Sequence, residues 1–141
     1  MTRDDIVAMF ARRREAIDRH DAEALAADHT DDSIVYSPMG GGAVTGRKAI
    51  AGIYESYFTA LGDMTFTQEE LLIDGDRVVL LGRATGTDTG GFMGLAPSHR
   101  AISFPIVVLY ELTDGRIARE RRVYDFTGVL LQVGVIKAKP L

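Results

Sequence analysis

Asp125 is the residue whose type and position best suit proton transfer. It closes a run of strand-forming residues, 116–124, and lies between Tyr124 and Phe126. A carboxyl group held among apolar walls has its pKa raised, the property a general acid or base needs near neutral pH. A short acidic residue at a strand-to-helix junction has a second role open to it, accepting hydrogen bonds from the first backbone N–H groups of the segment that starts at Phe126. Four charges precede it, Arg119, Glu120, Arg121 and Arg122. A strand with one buried face cannot send all four to water, so at least one turns to a pocket or an interface beside a countercharge. Strict alternation puts Ile117, Arg119, Arg121 and Val123 on the face of Asp125 and makes Arg121, roughly 13 Å from it along the strand, the inward charge, with Arg121, His99 or a tyrosine open as its partner. A bulge would turn Glu120 and Arg122 inward instead.

His99, in the segment Pro97-Ser98-His99-Arg100, is the third catalytic candidate, because a free imidazole titrates near neutral pH. The competing role is that of a solvated loop side chain. His20 and His29 are expected at helix ends. Three histidines without His-x-His or His-x-x-x-His spacing give no metal site. The chain has no cysteine, which removes thiolate nucleophiles, disulfides and cysteine zinc sites. No Gly-x-Ser-x-Gly elbow is present, so covalent hydrolysis is not expected. Tyr36, Tyr54, Tyr57 and Phe58 are expected as core or pocket wall, with a tyrosine hydroxyl available to orient a carbonyl.

The elements that must position these groups are legible from period and punctuation. Thr2, Asp4 and Asp5 open a helix whose apolar positions Ile6, Met9, Phe10 and Ile17 recur at helical spacing. The arginine cluster at 12–14 reads as its solvated face. Asp21 caps a second short helix over 22–28. Ile34, Val35 and Tyr36 form a short strand, and Gly40-Gly41-Gly42 a loop or tight turn. A third helix begins near Thr45-Gly46, carries Ile50, Ile53, Tyr54, Tyr57, Phe58 and Leu61 on one face and stops at Gly62. Four strand-like runs follow, 64–73, 77–87, 102–112 and 116–124. Asp74-Gly75-Asp76 and Thr113-Asp114-Gly115 predict antiparallel hairpins, and a glycine-rich segment over 86–97 separates the middle pair. The apolar tail over 126–135 is expected as a short helix or coil over the sheet edge. Helices first and strands afterwards give an α+β order with one domain over 1–141, and the glycines do not stand in the strand-loop-helix context that phosphate binding needs.

The bulk composition fits one compact domain: 141 residues, 46% hydrophobic and 26% charged. A net charge of −4 offers no electrostatic reason for nucleic-acid or anionic-membrane binding. No apolar run approaches the roughly 20 residues that span a bilayer, and the first residues lack the apolar core of a secretory signal, so a cytoplasmic protein is expected.

Several motifs in the second half carry a resemblance. They are Gly86-Thr87, Gly91-Phe92-Met93-Gly94-Leu95-Ala96-Pro97, Asp114-Gly115-Arg116-Ile117, Tyr124-Asp125 and Leu130-Leu131-Gln132-Val133-Gly134. Together they resemble the SnoaL-like ester and polyketide cyclases, a branch of the superfamily that also holds ketosteroid isomerase, scytalone dehydratase, limonene epoxide hydrolase and nuclear transport factor 2. The first half fits through the order of its elements. The resemblance implies a cone-shaped barrel, N-terminal helices packed on a strongly curved, mainly antiparallel sheet around one apolar pocket. It implies Asp125 as general acid/base of an intramolecular aldol closure, with Phe92, Met93 and Phe104 joining the four aromatic residues as substrate contacts. It implies a small hydrophobic carbonyl substrate, no cofactor and a homodimer through the outer sheet face. An epoxide-hydrolase-like variant would use Asp88, Arg121 and Asp125. The same scaffold also carries non-catalytic ligand-binding or dimeric interaction proteins, so that alternative stands beside the enzyme. The chain departs from the family pattern at His99, where a glycine is usual, and at Val133, where leucine is.

Overall fold

A computed structural model of the chain describes residues 1–39 and 42–140. Helix α1 (Arg3–Asp18) starts as expected, with the Thr2 side chain accepting from the Asp5 N–H and the Asp5 carboxylate accepting from the Thr2 N–H. Its buried face is Ile6, Met9, Phe10, Arg13 and Ala16. Arg13 therefore departs from the expected solvated cluster: it is only 4% exposed, while Arg12 and Arg14 remain outside. Asp21 caps α2 (Ala22–Ala27) by accepting from the Ala24 N–H, and α3 (Arg47–Ala60) buries Ile50, Ala51, Tyr54, Tyr57 and Phe58.

The strands are β1 (His29–Ser37), β2 (Gly42–Thr45), β3 (Thr65–Asp74), β4 (Arg77–Thr87), β5 (Ala101–Thr113) and β6 (Arg116–Tyr124), and α4 (Phe126–Gln132) follows the last. They form one six-stranded sheet in the order β2-β1-β6-β5-β4-β3. Both Asp-Gly turns make the expected antiparallel pairs, β3 with β4 and β5 with β6, and β4 pairs with β5 across the glycine-rich segment. The β1–β6 pair is parallel, so the sheet is mixed, and its edges β2 and β3 do not meet, so it is open rather than a closed barrel. Strand β2 was not expected. Gly40 and Gly41 lie outside the described residues, while Gly42 opens β2, which pairs antiparallel with β1.

The inner face of the sheet is covered by helices. Ile6, Met9 and Phe10 of α1 pack on Val78, Leu80, Val108 and Tyr110, and Ala60 and Leu61 at the end of α3 pack with Ala84, Phe104 and, from α4, Val129. No helix among the described residues is long and apolar enough to cross a membrane.

One irregularity decides what the inner face presents. Between β5 and β6 the register runs Leu112 opposite Ile117 and then Glu111 opposite Arg119, so Ala118 is an extra residue on β6. An inserted residue reverses the side-chain phase beyond it. Ile117, Glu120 and Arg122 are thus buried, whereas Arg119, Arg121 and Val123 point outward.

Candidate functional site

Inside the layer between helices and sheet lies a cavity of about 80 Å³. Its walls come from α1 (Ile17), α3 (Tyr54, Tyr57), the strands β3 to β5 and, on β6, Glu120 and Arg122. Those two are the only charged groups among the described lining residues. A larger recess of about 620 Å³ lies between α3 and the loop around Phe92, but the one ionisable residue in its wall, Glu55, is exposed. A buried charge pair in an apolar cavity is the stronger sign of a working site, because desolvated charges are expensive to hold without a purpose or a full set of partners.

The partners here are incomplete. Arg122 Nε donates to Glu120 Oε1 at 2.7 Å, and His29 Nε2 stands 3.4 Å from Glu120 Oε2. Three buried side-chain atoms have no hydrogen-bond partner among the described residues: His29 Nε2, Glu120 Oε2 and Arg122 Nη2. All three belong to this one cluster. Around it, the Arg122 guanidinium lies 4.8 Å from the centre of the Tyr54 ring and 5.8 Å from that of Tyr57. Arg13 reaches in from α1 and donates to Tyr54 Oη at 3.0 Å, to the Leu25 carbonyl and to Asp28. His29 is fully enclosed at 0% exposure, its Nδ1 2.9 Å from Ser33 Oγ. It opens β1 and is not the helix-end residue expected, because β1 begins five residues before the expected start at Ile34 and carries His29 into the core beside Ile117.

The electrostatics follow from burial and neighbours. Burial alone would raise the Glu120 carboxyl, but Arg122, His29 and Arg13 outweigh it and hold the group below the ordinary glutamate range. Burial, with Arg13 and Arg122 adding to it against the pull of Glu120, pushes His29 down to about 4. At neutral pH the cluster is therefore carboxylate, guanidinium and neutral imidazole. A neutral imidazole beside a carboxylate oxygen puts its proton on the facing nitrogen, so His29 Nε2 carries the hydrogen and Ser33 donates to Nδ1. Burial and the nearby Glu120 charge raise the Tyr54 hydroxyl, which stays protonated.

Of the residues picked from sequence, the structure brings Tyr54, Tyr57 and Phe104 into this cavity. The others lie elsewhere. Asp125 is exposed and caps α4, its Oδ1 accepting from the Gly128 N–H at 2.9 Å, because the bulge at Ala118 removes it from the inward phase. Arg121 points outward, 5.1 Å over the ring of Tyr36 on the outer face. His99 is exposed at a positive φ of 57° after the proline, in the loop. Phe58 stacks on His20 within the helical core, Phe92 packs with Ile102 and Val129, and Met93 is exposed. Asp88 is buried, but it organises the loop by accepting from the Gly91 and Ser98 N–H groups, so an Asp88-Arg121-Asp125 set does not assemble. Glu120, Arg122, His29 and Arg13 were not selected as site residues. The signal that could have found the first two was the bulge alternative for the run at 119–122.

Behind the wall that Tyr57 contributes, its Oη meets Tyr124 Oη at 2.6 Å, and Ser37 Oγ stands 3.4 Å from Tyr124 Oη. Among the described residues no group of three or more His, Asp or Glu side chains forms a metal-binding cluster. Chemically, the arrangement offers an ionised carboxylate whose second oxygen faces the His29 Nε2–H at 3.4 Å without a formed hydrogen bond, a guanidinium with one nitrogen left without a partner, and a largely apolar cavity wall beside both.

Comparison with known proteins agrees with this architecture. The family model for SnoaL-like polyketide cyclases matches residues 8–133, and the chain belongs to that family. AclR of Streptomyces galilaeus, provisionally described as a hydroxylase, has a similar structure (TM-score 0.84, 22% identity, covering 99% of this chain and 87% of that one). So does IdmH of Streptomyces antibioticus, provisionally described as a polyketide cyclase (TM-score 0.75, 25% identity, 91% and 97%). A Catenulispora acidiphila protein with a ketosteroid isomerase-like fold, solved with trimethylamine, superposes with a TM-score of 0.73 at 19% identity over 95% of each chain. No protein of curated function matches the chain.

Proposed function

We propose that this SnoaL-like family protein is an acid/base enzyme acting on a small hydrophobic carbonyl compound in the cavity, with Glu120 as proton acceptor and Arg122 as the group that holds the carbonyl oxygen. The observation that carries the reading is that Glu120 and Arg122, each with a side-chain atom that forms no hydrogen bond, both line one largely apolar cavity, with only the neutral His29 at 3.4 Å from the free carboxylate oxygen. Glu120 takes a proton from the carbon next to the carbonyl, the C–H electron pair moves to the oxygen, and the enolate oxygen is stabilised by the guanidinium. The enolate carbon then either recovers a proton elsewhere, an isomerisation, or attacks a second carbonyl of the same molecule, an aldol closure whose alkoxide receives the proton from Glu120. Every group in the scheme belongs to the chain itself.

At about 80 Å³ the cavity is roughly half the size of an apolar cavity that admits benzene, so ligand entry displaces the half-buried Ile17 and Met64 at its rim. The test is exchange of the α-hydrogens of a one-ring ketone such as 1-indanone with D2O, followed by NMR. The protein accelerates exchange, and Glu120→Gln slows it by about 100-fold or more; unchanged exchange in Glu120→Gln would sink the assignment. A second reading is favoured by the lowered pKa of Glu120, since a more acidic carboxylic acid has a weaker conjugate base. In it the protein holds an oxygen-bearing ligand on Arg122 without turnover, and the same assay shows binding without exchange.

The outer sheet face supports a homodimer. Val107 and Val123 sit opposite each other across β5 and β6, exposed at 41% and 60%, next to Leu81 and Leu109. Pairing with a second copy would cover this band. Val123→Glu is expected to convert a dimer into a monomer in sedimentation; a wild-type monomer contradicts the pairing.

A further inference from the structure

Three tyrosines line the cavity, Tyr54, Tyr57 and Tyr110, and for Tyr54 the structure fixes which way the hydroxyl proton is directed. Arg13 Nη2 lies 3.0 Å from Tyr54 Oη. A guanidinium only donates, so the tyrosine oxygen is the acceptor in that bond and its own proton is directed elsewhere. Among the described residues Tyr54 Oη donates to no other group, and the side chain is 8% exposed with its ring against the Arg122 guanidinium. Both side chains line the cavity. Arg13 is itself fixed by three acceptors, Tyr54, the Leu25 carbonyl and Asp28, so the tyrosine cannot turn its proton toward α1.

We infer that the cavity selects ligands bearing an enolate or phenolate oxygen, held jointly by Arg122 Nη2 and the Tyr54 hydroxyl, and that Arg13 is a positioning residue that imposes the donor state on Tyr54. The inference rests on the oxygen-holding role of Arg122 proposed above and names the ligand class of that site. A charged oxygen takes roughly twice the hydrogen-bond energy of a neutral one, and the surrounding apolar walls keep water from competing. The raised pKa of Tyr54 keeps its proton in place while the ligand carries the negative charge. Of the other lining residues, Met64, Phe66, Leu80, Phe104, Ile106 and Val108 are apolar and suit a ring rather than a second charge.

The probes are 4-nitrophenolate and its methyl ether, 4-nitroanisole, which has the same ring but no anionic oxygen. The wild-type protein is expected to bind the anion at least about tenfold more tightly than the ether and to move its absorption maximum to shorter wavelength, because hydrogen bonds to the phenolate oxygen stabilise the ground state. Tyr54→Phe loses about tenfold for the anion, leaves the ether unchanged and moves the absorption back toward longer wavelength. Arg13→Met repeats that spectral change although it touches no ligand, and Arg13→Lys restores part of it. Should Arg13→Met fail to fold, Arg13→Lys and Tyr54→Phe carry the comparison. Equal affinity for anion and ether in the wild type, or anion binding and spectrum unchanged in Tyr54→Phe, would overturn the inference. Failure of the acid/base reading looks different: Glu120→Gln would keep exchanging the ketone while phenolate recognition stayed intact.

Discussion

The inner stretch of β6 and the corner that follows it are five residues apart and physically opposite. At 120 and 122 two charged side chains are enclosed, paired once, each left with an atom that forms no hydrogen bond, and both line an apolar cavity. At 125 an aspartate is exposed and spends an oxygen on a helix N-terminus. The loop that carries Asp88 and His99 resembles the corner: Asp88 is buried with both oxygens engaged by backbone N–H groups, and His99 is in solvent. A polar group whose partners are all supplied by its own local backbone is explained by architecture alone. One whose desolvation is left partly uncompensated calls for a ligand.

The largest expected break in this contrast comes from removing one member of the buried pair. Glu120→Ala strands the Arg122 charge in the core and is expected to cost about 3–5 kcal/mol in chemical unfolding. A loss below about 1 kcal/mol would mean the pair is hydrated rather than buried.

Acid sharpens the contrast further. His29 has a folded pKa of about 4 against the ordinary 6.5, so between these values the unfolded chain binds a proton the folded one refuses. The stability this represents is complete above pH 6.5 and lost as the pH falls to about 4, a loss on the order of 3 kcal/mol. Glu120, also lowered, acts in the same direction at the acid end. Unfolding measured across this window should show the slope in wild type and a flatter profile in His29→Gln; parallel profiles would contradict an enclosed neutral imidazole.

At the lip the effects are smaller and structural. A Cβ on Gly90 would run into the Thr59 carbonyl, so Gly90→Ala is expected to lower stability by about 1–3 kcal/mol. Asp125→Ala removes a cap and should cost about 1 kcal/mol, whereas Asp125→Asn, which still caps, should leave the melting temperature nearly unchanged. A loss from Asp125→Asn as large as that from Glu120→Ala would erase the distinction between the two regions.

Much of the fold was legible in the chain. Two Asp-Gly turns, the switch from helical to alternating period after Gly62 and the capping residues Thr2 and Asp21 are local signals that tertiary packing did not override. The cavity wall was less so. Which of Arg119, Glu120, Arg121 and Arg122 turn inward depends on one extra residue, Ala118, whose place is set by pairing with β5 and leaves no mark in β6 itself. Arg13 and His29 escaped for a related reason. An arginine on a helix face and a lone histidine are usually solvated, and only the contacts of Arg13 with Asp28 and Tyr54, and of His29 with Glu120, make their burial tolerable.

The most direct measurement sets Glu120→Gln and Asp125→Asn side by side in the exchange of 1-indanone α-hydrogens with D2O. The account predicts exchange slowed by about 100-fold or more in Glu120→Gln and within about twofold of wild type in Asp125→Asn. The reverse order, with Asp125→Asn inactive and Glu120→Gln unimpaired, would contradict it.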